Sequence, residues 1–256
     1  DVALAMDAVK ALGKIGGPEA VKVLTATLGK TGATLKSEAA SALLLAAEGL
    51  LAAGDKASAA TVYDKVFAAN VSPVVRQAAF KGKLAAADDA RAMVLRALTG
   101  KDALLFAPAL AAVTANFGEG EISQVGDLMA RLPEEAKIQL TGILAGYPAD
   151  IVRPYLLSAA ENPSDNVRLA ALRSIAAARD GKSVVFLATK AARSAGAEQD
   201  AAREALARLK GVDVEEAILA HLAKASDDAV KAELVQAAGA RRIAGAEPAL
   251  MDIVMA

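Results

Sequence analysis

The feature that most constrains this chain is an internal repeat with a period of about 31 residues. Apolar anchors recur at corresponding places in similar segments, and chains built this way bury their apolar surface by stacking each segment on the next. The intervals between successive anchors are 38, 33, 33, 28, 31, 32 and 31 residues, and the anchors are Leu24, Val62, Leu95, Leu128, Leu156, Leu187, Leu219 and Leu250. The pattern therefore predicts a repeat array rather than a globule with interleaved distant segments.

Each repeat carries the signals of two helices joined by a short turn. In residues 162–195, a polar turn is followed by apolar residues at helical spacing, and Arg179-Asp180-Gly181 interrupts that run before a second one begins at Val184. No window alternates apolar and polar residues with β-branched enrichment, so no sheet is predicted. Pro108 lies inside an apolar helical run and is expected to bend or split it.

An acid and a base mark the start of the first helix in several repeats. The acid is expected to cap the exposed N–H groups of the helix and to stabilise its positive end, and the base three residues later can pair with it. In a stacked array each base also lies near the acid of the neighbouring repeat, so we expect a structural ladder of ion pairs. Its members are Asp165 with Arg168, Asp200 with Arg203, Asp228 with Lys231, Glu134 with Lys137, and Arg76, which stands without an acid.

These patterns resemble HEAT repeats, and most closely the short bacterial variety named after phycobilisome lyases. The clearest copies are residues 163–172 (PSDNVRLAAL) and 72–80 (SPVVRQAAF). The resemblance covers essentially the whole chain and is strong from Pro148 onward, whereas the Asp and Arg positions are degenerate between residues 85 and 135. It implies an all-α, right-handed α-solenoid (superhelix) of about seven to eight antiparallel helix pairs, HEAT/armadillo-like, in a single domain over residues 1–256.

Composition excludes several classes of function. The chain has no Cys and no Trp, which excludes a disulfide framework, a Cys-based zinc site and an iron–sulfur centre. Its 29 basic and 30 acidic side chains give no attraction to nucleic acid or to an anionic membrane. The longest uncharged stretch, Ala103 to Gly118, is too short to span a bilayer. We therefore expect neither nucleic-acid binding nor membrane insertion.

Catalytic and cofactor motifs are equally scarce. His221 is the single histidine, so no second His exists to share a metal ion, and it is interpreted as a helix-surface or inter-repeat residue. The segment Gly13–Gly17 lacks the spacing and the Lys-Ser/Thr ending of a phosphate-binding loop. The sequence therefore predicts no cofactor, no metal and no enzymatic activity.

A second row of polar residues is the best candidate for a partner-binding surface. Four of its members lie five residues beyond a ladder base, about 140° away from it around the helix, and the fifth, Lys10, lies in the first helix. In the resembled family, the second helix of each repeat lines the concave groove, when helices are counted from that family's repeat start. We match the helices that carry this row to that second helix. Two interpretations stay open, a solvated charged face and a positive strip that meets an acidic partner. The row consists of Lys10, Lys81, Arg173, Arg208 and Gln236.

The leading functional hypothesis is a non-catalytic protein–protein interaction scaffold that uses the concave face of the array. One alternative is a structural spacer in a larger exported multidomain protein, and another is an enzyme subunit similar to the bilin lyases. Both ends of the chain read as apolar helices, so we expect a segment of a longer or processed chain, as a monomer or a module. The sequence leaves both a cytoplasmic and an exported location open.

Overall fold

The computed structural model describes residues 2–29 and 32–255, and every regular element within these ranges is a helix. The all-α prediction is thus confirmed for the described part of the chain. The chain divides into two compact units, Asp1–Asn116 and Phe117–Ala256. Each unit is built from helices that pack on their neighbours along the chain, as expected for a helical-repeat fold.

The first unit consists of eight described helices and one short 3-10 turn. Helix α3 is its centre and packs against α1, α2, α4 and α5, and α5 in turn contacts α6 and α7. A 3-10 turn at Ala103–Leu105 precedes α7. The helices are α1 (Val2–Ile15), α2 (Pro18–Leu28), α3 (Ala33–Ala52), α4 (Lys56–Ala68), α5 (Pro73–Ala86), α6 (Ala90–Thr99), α7 (Phe106–Ala111) and α8 (Val113–Asn116).

The second unit is more regular and forms two layers. Helices α10, α12, α14 and α16 pack side by side as the first layer, and α11, α13 and α15 cover them as the second layer. The helices are α9 (Ile122–Gly126), α10 (Glu134–Leu144), α11 (Ala149–Ala159), α12 (Asp165–Ala177), α13 (Val184–Arg193), α14 (Gly196–Arg208), α15 (Val214–Lys224), α16 (Asp228–Arg241) and α17 (Glu247–Met255). Short 3-10 turns lie at Met129–Arg131, Gly181–Ser183 and Ala244–Ala246.

The predicted anchors fall on corresponding helices. Seven of the eight lie in α2, α4, α6, α11, α13, α15 and α17, the second members of the helix pairs. Leu24, Val62, Leu156 and Leu187 are buried in the cores of their units. Leu128 lies outside the α-helices, directly before a 3-10 turn. The period therefore located the second helix of most pairs, but not all the residues that each core buries.

The middle of the chain is irregular, as the degenerate motif between residues 85 and 135 suggested. Pro108 lies within the six-residue helix α7, and the apolar run around it is divided into a 3-10 turn, α7 and α8. Proline lacks the N–H that would bond to the carbonyl of Leu104 in a continuous helix, which accounts for the break before α7. The boundary between the two units falls in the same stretch, after Asn116.

The helix caps differ from the predicted ones by one or more residues. We expected Asp165 and Asp200 to cap their helices, but Ser164 caps α12 by accepting a hydrogen bond from the Val167 amide. Asp200 lies within α14, which begins at Gly196. Asp165 occupies the first turn of α12, where a carboxylate still stabilises the positive helix end.

Close packing in the first unit depends on Gly13. A Cβ atom at this position would lie 2.8 Å from both the Cα and the Cβ of Ala42, where α1 crosses α3. Gly49 is also helical, but a Cβ there would meet no atom within 4 Å. The close approach of α1 and α3 therefore requires a glycine at position 13, whereas nothing in the packing requires a glycine at position 49.

We expect Gly13→Ala to reduce the free energy of unfolding by about 1–3 kcal/mol, because the added methyl group forces α1 away from α3. Gly49→Ala is the matched control, and it should raise the free energy of unfolding by about 0.5–1 kcal/mol through helix propensity. Chemical denaturation of both variants measures the difference. Equal effects of the two substitutions would contradict the close approach at Gly13.

Candidate interaction surfaces

The predicted partner-binding row is exposed throughout. Lys10 and Lys81 lie in the first unit, and Arg173, Arg208 and Gln236 lie in the second. The last three occupy neighbouring helices of the first layer, α12, α14 and α16, which pack side by side. The second unit therefore brings three of the five residues onto adjacent helices.

The exposed side of this layer carries charges of both signs. Arg208 pairs with Glu204 at 2.8 Å, and both side chains are more than half exposed. Asp200 is also exposed, one helical turn before Glu204 on α14. A groove of about 280 Å³ lies between α14 and α16, with Gln236 in its lining. The row thus lies on a face of mixed charge and not on a uniformly positive one.

The ladder base Arg168 joins three segments of the second unit. Its Nε donates to Glu198 at 2.8 Å, and its Nη2 donates to Asp165 at 2.7 Å. Its Nη1 donates to the carbonyl oxygens of Asn162 and Pro163. One guanidinium therefore fixes the start of α12 to the start of α14, 30 residues further along the chain.

Arg203 repeats this arrangement in the following pair of helices. Its Nε and Nη2 donate to the two carboxylate oxygens of Glu233 at 2.8 and 2.6 Å, again 30 residues away. Glu233 is only 5% exposed. In the first unit, Arg76 pairs with Asp102 at 2.6 Å and lies over the ring of Phe67.

The acid partners are mostly not the predicted ones. Of the acids predicted for the ladder, only Asp165 pairs with the base of its own helix, which is Arg168. Within the described ranges no ion pair joins Lys137 to Glu134, Asp200 to Arg203, or Asp228 to Lys231; Glu134 instead accepts a hydrogen bond from Asn166. Because the arginines reach across to the next first-layer helix, acids deeper in the interface, Glu198 and Glu233, take the place of the exposed turn acids.

Sequence reasoning missed a second ion-pair cluster around Lys190. Its ammonium group contacts Glu161 and Glu198, each at 2.9 Å, and its side chain is 13% exposed. Burial would raise the pKa of Glu198, but the hydrogen bonds from Lys190 and Arg168 outweigh it and lower that pKa. Glu198 thereby links α13 to the first layer. The only sequence signal for it was a Glu near the start of a helix.

Sequence reasoning also missed a cluster around the buried carboxylate of Asp180. Arg153 donates to it through two nitrogens, and Ser183 Oγ donates at 2.6 Å. Burial by itself would raise the pKa of Asp180, but these hydrogen bonds and the charge of Arg153 bring it below its ordinary value. The cluster connects α11 to the turn between α12 and α13, so it also joins successive repeats.

The single histidine lines a groove of the second layer. This groove, here called the His221 groove, has a volume of about 280 Å³ and lies among α13, α15 and the start of α16. Arg193 and Lys224 stand at its walls beside His221, and Val230 and Leu234 form an apolar floor. It therefore combines basic groups with a buried apolar surface.

Neither a metal cluster nor a membrane span occurs in the part of the chain that the structure describes. Within residues 2–29 and 32–255, no group of three or more His, Asp or Glu side chains is arranged to hold a metal ion. No helix of these ranges combines the length and apolarity needed to cross a bilayer.

Comparisons with known proteins find a similarity among solved structures. No family model matches the chain, and no relative is found among curated proteins. Among solved structures, the chain is similar to human deoxyhypusine hydroxylase in complex with glycerol. The two are 17% identical with a TM-score of 0.35, over 92% of this chain and 89% of the other.

This finding overturns one expectation drawn from the sequence. We predicted that the chain is not an enzyme, yet a protein matched over most of its length is a hydroxylase. The prediction was wrong because it treated a shortage of His and Cys as an exclusion of catalysis. At this identity and TM-score the similarity assigns no activity to the chain itself.

We expect Arg203→Ala to lower the free energy of unfolding more than Arg208→Ala does, because it leaves the buried Glu233 carboxylate without its partner. Arg208→Ala, on the same helix, removes an exposed pair and should cost less than about 0.5 kcal/mol. Urea denaturation of the two variants at neutral pH makes the comparison. Similar costs would show that the inter-repeat pair contributes no more than a surface pair.

Asp180→Asn should weaken the fold in a pH-dependent manner. The pKa of Asp180 is lowered on folding, so its contribution is complete above its ordinary value of 3.8 and is lost as pH falls through the lower, folded value. We expect a cost of about 3 kcal/mol at pH 7 that shrinks below about pH 4. Denaturation midpoints from pH 7 to 3 measure it. The exposed Asp88→Asn variant is the control, and a cost independent of pH would contradict the role of the ionised carboxylate.

Proposed function

We propose that the chain is a HEAT-like repeat array that serves as a protein–protein interaction scaffold. The finer architecture belongs to the same proposal, namely a right-handed superhelix of about seven to eight helix pairs forming one domain over residues 1–256. Its support is the succession of packed helices in each unit, the recurring anchors, and the arginine pairs that join positions 30 residues apart.

The observation that carries the functional proposal is the placement of Arg173, Arg208 and Gln236. These three side chains are exposed, each five residues after a ladder base, on three helices that pack side by side. Long polar side chains repeated on a helical layer offer a row of contacts for an extended polypeptide, as the surfaces of other solenoids do.

The ladder beneath this face supports such a role. Arg168 and Arg203 each bind an acid of the next first-layer helix, so α12, α14 and α16 are held in fixed register. A surface that is rigid before binding loses less conformational entropy when a partner docks. The groove between α14 and α16 adds a recess in which a partner side chain can be buried beside Gln236.

The mixed charge of the face favours a polypeptide partner over nucleic acid. Asp200 and Glu204 are exposed on the helix that carries Arg208, and they would repel a phosphate backbone. Peptide partners carry both signs of charge, and complementary pairs at a rim govern the association rate and its salt dependence.

The test is affinity capture from a lysate of the source organism with the purified chain as bait. We expect a reproducible protein partner that is released by salt and lost with the Arg173→Glu, Arg208→Glu double variant, because the reversed charges repel the partner's acids. The control is the Lys182→Glu, Lys210→Glu double variant, which reverses two exposed lysines in turns of the same unit.

Thermal unfolding should show that all these variants are folded. A partner captured equally well by the Arg173, Arg208 variant would overturn the assignment to this face. Absence of any specific partner would favour the alternative role of a structural spacer.

A further inference from the structure

The last turns of two second-layer helices carry basic residues at the same spacing. Lys190 and Arg193 end α13, and His221 and Lys224 end α15. In each pair the first side chain is half-buried and the second is exposed. The two helix ends thus resemble each other in successive repeats, and the surroundings of Lys190 and His221 can be compared.

Lys190 is neutralised by two carboxylates of its own chain. Glu161, the second residue after α11, and Glu198, the third residue of α14, each contact its ammonium group at 2.9 Å. This junction is closed by ion pairs from the preceding and the following helix.

The junction at His221 is not closed in this way. The acid of α16 that corresponds to Glu198 is Glu233, and Arg203 binds it instead. Among the described residues neither His221 nor Lys224 takes part in an ion pair. These two basic groups therefore stand beside the groove without a bound carboxylate of the described chain.

One carboxylate remains near the His221 groove, and it is already engaged. Asp227 accepts hydrogen bonds from the amides of Ala229 and Val230 at the start of α16. It also lies 3.6 Å from Arg193. These contacts leave the wall formed by Lys224 and His221 unmatched, so the groove keeps a net positive character.

The floor of the groove adds a second element of recognition. Val230 and Leu234 are buried beneath it, and Val185 is partly exposed at its side. A volume of about 280 Å³ lies just below the range of about 300–1,000 Å³ usual for small-molecule pockets. It therefore suits one or two side chains better than a cofactor.

We propose that the His221 groove binds an acidic segment of a partner polypeptide. One carboxylate of that segment pairs with Lys224 beside His221, and a neighbouring apolar side chain covers Val230 and Leu234. This site lies on the second layer and is separate from the row formed by Arg173, Arg208 and Gln236, so it goes beyond the proposed function.

His221 supplies a specific readout because it is the only histidine in the chain. Its imidazole gives a single set of ring C–H signals in an NMR spectrum, and these report directly on the groove. The probe is the capped peptide acetyl-Leu-Glu-Glu-Leu-amide, added to the full chain at low salt. The matched probe acetyl-Leu-Gln-Gln-Leu-amide has nearly the same shape without the charge.

We expect the Glu peptide to shift the His221 signals in a saturable manner and the Gln peptide to leave them unchanged. Lys224→Glu should weaken the Kd of the Glu peptide by about tenfold or more, because it places a carboxylate where the ligand carboxylate binds. Lys210→Glu, the same exchange at an exposed turn of the same unit, should leave the Kd within about twofold of the wild-type value.

Three results would overturn the proposal: no shift of the His221 signals at millimolar peptide, equal shifts with both peptides, or an unchanged Kd in the Lys224→Glu variant. Tripolyphosphate is titrated in parallel, and a stronger response to it than to the Glu peptide would assign the groove to phosphate anions instead. Lys224 lies on α15, outside the row formed by Arg173, Arg208 and Gln236, so failure here leaves the scaffold proposal intact.

Discussion

A single helical hairpin of this chain cannot hide its own apolar stripe from water, and this constraint governs the structure of both units. With 55% of its residues hydrophobic and few aromatic side chains, the chain must bury many small aliphatic groups between closely spaced helices. Alanine and glycine at crossing points such as Gly13 and Ala42 allow that approach. Helices therefore pack on the ones before and after them, and stability is shared between neighbours instead of residing in one central core.

Ion pairs determine how these apolar layers are aligned. Burial alone is non-directional, so two helices could slide by a turn with little loss of contact area. The paired hydrogen bonds from Arg203 to Glu233, and the bonds from Arg153 to Asp180, are formed in one arrangement only. Such pairs cost desolvation energy and contribute modest net stability, whereas removing one of the two partners strongly destabilises the fold. Their spacing of 27 to 30 residues matches the repeat.

The two layers of the second unit present different chemistry to a partner. The exposed side of α12, α14 and α16 carries polar side chains and charges of both signs, which suits contact with an extended polypeptide. The His221 groove is small, has an apolar floor, and has a wall with Lys224, which forms no ion pair among the described residues, in contrast to Lys190 at the end of α13.

The sequence by itself determined the helical class, the pairing of helices, the position of most second helices and the irregularity around Pro108, because each follows from local periodicity and from the backbone chemistry of proline. It also identified Arg76, Arg168 and Arg203 as special. Only the tertiary structure decided which acids these arginines bind, that Asp180 is a buried carboxylate, and that His221 lines a groove. Contacts across about 30 residues depend on how deeply each side chain lies between two helices. A change in where a helix begins, by one residue at α12 and by several at α14, redirects the side chains without altering the pattern of apolar residues.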